Sequence, residues 1–168
     1  GKGTEEGVDI GPLINEKALE NVERLVADAK EKGARVLTGG ERLDRPGNFY
    51  SPTVIDEVTT DMRMTQEEIF GPVAPILTFE KESEILAFTE QSPYGLAAYL
   101  FTRDISRVYR VSEKLDAGMV GVNGTQLSVP QAPFGGIKES GMGREGGHYG
   151  LEGFLELKYI SLTLENEN

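Results

Sequence analysis

Between Asn15 and Gly33 the apolar residues Ala18, Val22, Leu25, Val26 and Ala29 recur at helical spacing. That period places them on one face of an α-helix, with Asn15 able to cap its start and Gly33 able to end it. Residues 35–38 then read as a short strand, and residues 39–48 as a polar connection rich in turn formers. Two further β-rich runs follow at residues 53–58 and 75–79. Ser83 can cap a second helix whose apolar side is Ile85, Leu86 and Phe88, and Ser92-Pro93-Tyr94-Gly95 marks a turn. Residues 97–102 form an apolar strand. Asp104 caps a helix carrying Ile105, Val108, Val111 and Leu115, which Gly118 stops, and residues 119–122 read as another buried strand.

Helices alternate with short apolar strands, which predicts an α/β fold of βαβ units around a parallel sheet covered on both faces. The pattern shows no repeat and no internal domain boundary. After Asn123 the periodicity fades, and residues 124–144 carry many Gly, Pro and small polar residues. A loop of this length within a compact domain is functional or disordered, and Pro133, Phe134 and Ile137 argue against disorder. A short helix is expected near residues 145–153. The last run, residues 154–164, alternates: Leu155, Leu157 and Tyr159 oppose Glu156 and Lys158, then the phase slips to Ile160, Leu162 and Leu164. It predicts a strand with a bulge that pairs either within the chain or with a sheet of another subunit.

Composition narrows the classes. The 168 residues fit one domain, with 38 % apolar content for a core. No apolar run approaches the ~20 residues of a membrane helix, so no membrane partner is expected, and no secretory leader is visible. The net charge of −11 repels phosphate backbones and speaks against nucleic-acid binding. Some of that acidity lies in residues 165–168, read as a solvated end. Cysteine is absent, which removes disulfides, thiolate metal sites and cysteine nucleophiles from this chain and fits a cytoplasmic setting.

Several motifs invite chemistry that their context does not support. Gly141-Met142-Gly143-Arg144-Glu145-Gly146 matches G-x-G-x-x-G, but the dinucleotide fingerprint requires a buried strand before it and a βαβ unit after it. Lys138, Glu139 and Ser140 precede it instead, so a tight structural turn is expected. Asn123-Gly124-Thr125 has the form of a glycosylation acceptor and reads as coincidence. His148 is the sole histidine and has no ligand cluster beside it, so no metal site is expected.

Glu67-Glu68-Ile69-Phe70-Gly71-Pro72-Val73 is more informative. A carboxylate, an aromatic and Gly-Pro make a rigid bend. A carboxylate there could accept hydrogen bonds from ribose hydroxyls, and an aromatic face could pack on a flat heterocycle. From physics alone, Phe70 would more often be core and Glu68 more often surface. The segment resembles the E-[IE]-F-G-P-V signature of the aldehyde dehydrogenase superfamily. Tyr94-Gly95-Leu96-Ala97-Ala98, Pro133-Phe134-Gly135-Gly136-Ile137-Lys138-Glu139-Ser140-Gly141, Gly143-Arg144-Glu145 and Tyr149-Gly150-Leu151 through Lys158 resemble further parts of that family in the same order. Gly11-Pro12-Leu13-Ile14 and Pro52-Thr53-Val54 also fit.

The resemblance implies the C-terminal part of the family's catalytic domain over residues 1–153, and an oligomerisation strand with an acidic tail over residues 154–168. Family members oxidise an aldehyde to a carboxylic acid with NAD or NADP as acceptor, through a thioester on a cysteine. That cysteine, the general base and most of the cofactor domain would lie upstream, so no catalytic residue is expected in this segment and the chain alone is expected to be inactive. Carried over by motif, Glu68 would bind the nicotinamide-side ribose and Phe70 would pack by the nicotinamide. Leu96 would lie near the reaction centre, and Phe134 in the substrate channel. Residues 124–131 would shape substrate choice. The nearest resemblance is to succinate-semialdehyde dehydrogenase, in which a serine matching Ser128 helps hold the substrate's distal carboxylate. The terminal strand, residues 155–164, would join subunits into a homo-dimer or homo-tetramer. The competing reading is a non-catalytic module for sheet pairing and assembly.

Overall fold

The computed structural model describes residues 1–164; the predicted solvated end at 165–168 lies outside the described residues. The fold is α/β, but it divides into two compact units, residues 1–80 and residues 81–168, where the sequence pattern shows no boundary.

In the first unit α1 spans Glu16–Glu31. The Asn15 side chain accepts a hydrogen bond from the Ala18 N–H at 2.9 Å, which satisfies one of the open donors of the first turn. Lys32 closes the helix, and Gly33 follows at φ +95°. Its buried face is Leu19, Val22, Leu25, Val26 and Ala29. Leu19 therefore replaces Ala18 as the first core position. Both flank the same stripe, and the larger side chain gains more by burial. Three strands receive this face: β1 (Arg35–Thr38), β2 (Thr53–Asp56) and β3 (Val73–Pro75). β2 is central, antiparallel to β1 and parallel to β3. Ile55 on β2 is fully buried, and Tyr50, Val58, Met62 and Met64 complete the core with α1. Each such large apolar side chain contributes about 1.5–3 kcal/mol on burial.

The third strand lies earlier than the run at 75–79 predicts. Its register is set by β2: the Thr53 N–H donates to the Pro72 carbonyl at 2.8 Å, and the Ile76 N–H to the Ile55 carbonyl at 2.8 Å. Pairing with a neighbour overrides local β-propensity.

The second unit holds α2 (Glu82–Glu90), β4 (Tyr94–Gly95), β5 (Ala97–Leu100), α3 (Ile105–Ser112), β6 (Met119–Val122) and β7 (Ile137–Lys138). β5, α3 and β6 form the predicted βαβ unit, with β5 and β6 parallel from Ala97 opposite Met119 to Leu100 opposite Val122. The small pair β4–β7 is antiparallel, so the sheets are mixed rather than wholly parallel. Asp104 caps α3 as predicted, accepting from the Ser106 and Arg107 N–H groups. α2 is capped at Lys81, not Ser83: the Lys81 N–H reaches the Glu84 carboxylate at 3.4 Å and starts the helix earlier.

Near the C-terminal end one expectation is corrected and another is narrowed. The helix expected over 145–153 is a 3-10 turn at Tyr149–Phe154; Gly150 and Gly153 disfavour a longer α-helix. Residues 155–164 form no strand among the described residues. Leu155, Leu157, Tyr159, Ile160, Leu162 and Leu164 are all exposed. The alternating pattern finds no partner strand among the described residues, which leaves pairing with another subunit as the other reading.

Glu82 at the start of α2 holds two arginines of α3. Arg110 donates to it at 2.7 and 2.9 Å, and Arg107 at 3.1 Å. These partners, Arg110 first, depress the Glu82 carboxyl from 4.5 to about 2. A carboxyl depressed by folding stabilises the fold fully above its unfolded pKa, and that contribution is lost as pH falls towards 2. Urea unfolding midpoints of wild type and Glu82→Gln should therefore differ most above pH 5 and converge near pH 2; a constant gap across that range would contradict the role of the Glu82 charge.

Candidate functional site

The bend between the 3-10 turn Arg63–Thr65 and β3 carries the first candidate residues. Along it the side chains take different surroundings in turn. Glu67 is held by Arg24 of α1, its Oε2 lying 2.5 Å from Nη2 and its Oε1 3.3 Å from Nη1, and more loosely by Arg63 at 3.4 Å. Hydrogen bonding to Arg24 keeps the Glu67 carboxyl below the usual carboxylate range. Ile69 packs against the core. Glu68 is exposed and has no side-chain partner among the described residues. Phe70 is 78 % exposed at φ +46°, a left-handed conformation costing a non-glycine residue about 1 kcal/mol or more. Packing among the described residues does not account for the position of this ring.

What fixes the bend is its close approach to α1. A Cβ on Gly71 would stand 2.5 Å from Val22 Cγ2, so only glycine lets the chain pass the helix at this depth. Pro72 then hands its carbonyl to β2. Of the two carboxylates in the motif, the structure leaves Glu68 open and occupies Glu67. The Arg24 partner, 43 positions away, has no signature in the sequence.

The second unit carries Leu96, Ser128 and Phe134. Leu96, between β4 and β5, is 42 % exposed, and its carbonyl accepts from the Met119 N–H at 3.1 Å. Ser128 is exposed in the segment between β6 and β7. Phe134 is half-buried and exchanges two 2.7 Å backbone hydrogen bonds with Glu145. The loop that follows is anchored by residues the motif reading passed over. Arg144 Nη1 donates to the Gly136 and Gly143 carbonyls, each at 2.7 Å. Ser140 Oγ accepts from the Gly95 N–H at 3.1 Å. Lys138, at φ +55°, reaches the Glu90 and Ser92 carbonyls and the Asp116 carboxylate. Gly118 must lack a side chain because its Cβ would strike the Gly135 carbonyl.

The other motifs resolve as structure. Gly141, Gly143 and Gly146 all have positive φ in a turn that follows only the two-residue β7, not a buried strand opening a βαβ unit. The Asn123 amide pairs with Thr102, donating to its carbonyl at 2.9 Å and accepting from its N–H at 2.8 Å. It thereby ties the end of β5 to the end of β6. His148 lies against Tyr149, with ring centroids 3.9 Å apart.

With this geometry in view, residues 1–160 match the aldehyde dehydrogenase family, and the chain belongs to that family. It is 50 % identical over 164 residues to the NADP-dependent succinate-semialdehyde dehydrogenase of Escherichia coli strain K12, a match covering 98 % of this chain and 34 % of that protein. It is also 50 % identical to a 3-sulfolactaldehyde dehydrogenase of Pseudomonas putida, covering 96 % of this chain and 33 % of the relative. Among solved structures, an NAD+ complex of aldehyde dehydrogenase from Bacillus cereus superposes with a TM-score of 0.92 at 41 % identity, covering 98 % of this chain and 34 % of that one. The chain thus spans about a third of the length of these relatives. No helix among the described residues is long and apolar enough to cross a membrane.

The fit of Gly71 beneath α1 can be tested alone. Gly71→Ala should destabilise the protein by about 1–3 kcal/mol through overpacking. Val22→Ala, costly by itself, should recover part of that loss in the double variant. Strictly additive effects in urea titrations would mean that the two residues do not share the contact.

Proposed function

We propose that this chain belongs to an oxidoreductase that oxidises succinate semialdehyde, or a closely related aldehyde with an anionic end, to the carboxylic acid with NAD+ or NADP+ as acceptor. The observation that carries the reading is the pair of outward, unengaged side chains Glu68 and Phe70 on a bend that is otherwise tied down. An ionised carboxylate with no internal donor suits the two hydroxyls of a ribose, and an exposed ring suits a flat heterocycle. Glu68 and Phe70 therefore fit a nicotinamide cofactor. When bound, NAD(P)+ supplies the hydride acceptor. The chain's own part is to hold: Glu68 accepts from the ribose, and Phe70 covers the ring and keeps water from it.

On the substrate side, Phe134 and Leu96 offer apolar surface to the aldehyde's carbon chain. The Ser128 hydroxyl donates to its distal carboxylate. The thioester forms on a cysteine that these residues do not include, and no catalytic residue is assigned to the chain. Residues 1–153 act as part of a catalytic domain, and residues 154–168 as the joining segment. The exposed apolar run 155–164, without a strand partner among the described residues, supports a homo-dimer or homo-tetramer built through that segment. A cytoplasmic setting agrees with the absence of cysteine.

The test is NAD(P)H formation by the full-length enzyme, comparing succinate semialdehyde, 3-sulfolactaldehyde and unbranched alkyl aldehydes by kcat/KM. The substrates with an anionic end should be favoured. Ser128→Ala should lower their kcat/KM by about tenfold or more, as expected for a hydrogen bond of ~1.5–3 kcal/mol to a charged group, and leave alkyl aldehydes unchanged. Preference for the alkyl aldehydes would retain the reaction and reject the substrate. The isolated 168-residue chain should show neither turnover nor micromolar NAD binding in calorimetry; tight binding by the chain alone would contradict the division of labour proposed here.

A further inference from the structure

The geometry points to Arg24 and Glu67 as positioning residues that set where Glu68 meets the cofactor ribose, an inference that rests on the cofactor role proposed for Glu68. Glu67 and Glu68 are adjacent and chemically identical, so only their surroundings distinguish them. Arg24 presents its guanidinium fork to both Glu67 oxygens, the arrangement that holds a carboxylate in one orientation. Arg24 is itself aimed by Asn21 Oδ1 at 2.6 Å, one turn earlier on α1. Arg63 adds a second cation to Glu67 at 3.4 Å, and its own place is set by Asp28 of α1, which accepts from the Arg63 backbone N–H at 2.9 Å.

The far side of Glu68 is fastened to the same helix by different physics. Ile69 packs on the core, and Gly71 passes against Val22. Arg24 and Val22 stand two residues apart on α1, so one rigid element provides a polar clamp before Glu68 and an apolar stop after it. The clamp also sorts the charges. Left unpaired, Glu67 would compete with Glu68 for the ribose hydroxyls and add a second negative charge facing a phosphate-bearing cofactor. Arg24 and Glu67 side chains are 42 % and 40 % exposed, and an exposed pair of this kind adds little to stability. Its consequence is for the position of Glu68, where small displacements weaken binding.

The experiment is fluorescence titration of NADH and NADPH into the full-length enzyme, with Arg24→Gln, Glu67→Gln, Glu68→Gln and the Arg24→Gln/Glu68→Gln double variant. Arg24→Gln and Glu67→Gln should each weaken cofactor binding about three- to tenfold, an effect typical of residues coupled in one network. In the Glu68→Gln background, Arg24→Gln should add nothing, because a misplaced group has already been removed. The aldehyde KM should not move. Arg24→Lys, which keeps the charge and loses the fork, should fall between and serves if Arg24→Gln does not fold. If Glu68→Gln weakens binding while Arg24→Gln does not, or does so by the same factor with and without Glu68, the positioning role is overturned and the cofactor role stands. If Glu68→Gln leaves binding unchanged, the cofactor role falls, and this inference falls with it.

Discussion

The burial of one face of α1 against β2 and its neighbours is the constraint on which the first unit depends. Leu19, Val22, Leu25, Val26 and Ala29 meet Ile55 and the methionines Met62 and Met64 with almost no exposed surface. Close packing makes the helix a fixed reference. The 3-10 turn, the bend and β3 then take their places relative to it. The Gly71 contact with Val22 shows how tight that reference is: one missing methyl group decides whether the bend can lie where it does.

The second unit solves a different problem. The stretch that follows β6 is long and poor in periodic pattern, and individually placed polar groups in β7 and beyond it tie it to the rest of the unit. Arg144 serves the Gly136 and Gly143 carbonyls, Lys138 serves two carbonyls and a carboxylate, and Ser140 serves the Gly95 N–H of β4. Backbone groups that cannot join a sheet still require partners, and cationic side chains with several donors meet that need economically. Phe134 is held by its own backbone bridge to Glu145, which leaves the ring half-buried at the surface of its unit.

Both units therefore present candidate binding side chains from backbone that is firmly held. In the bend the holding side chain, Glu67, adjoins the open one, Glu68. This arrangement separates support from contact within two residues. It also accounts for a left-handed Phe70 with an exposed ring: the fixed points on either side over-determine the backbone, and the strain persists. The chain in which this bend occurs belongs to the aldehyde dehydrogenase family.

The sequence by itself determined the elements whose signals are local. α1 with its Asn15 cap, β1, the Asp104 cap of α3, and the β5–α3–β6 unit follow from period and capping, because those interactions lie within a few residues. The ordered motifs likewise sufficed to identify the family. Decisions involving distant residues were not legible. Arg24 chooses between two neighbouring glutamates across 43 positions, β2 sets the register of β3, and the chain's contacts divide at residue 80 without a composition break. The run 155–164 carries a strand pattern and yet finds no partner strand among the described residues. Periodicity records which faces a segment offers, whereas partners, register and which of two neighbouring glutamates stays open are settled only when remote segments meet.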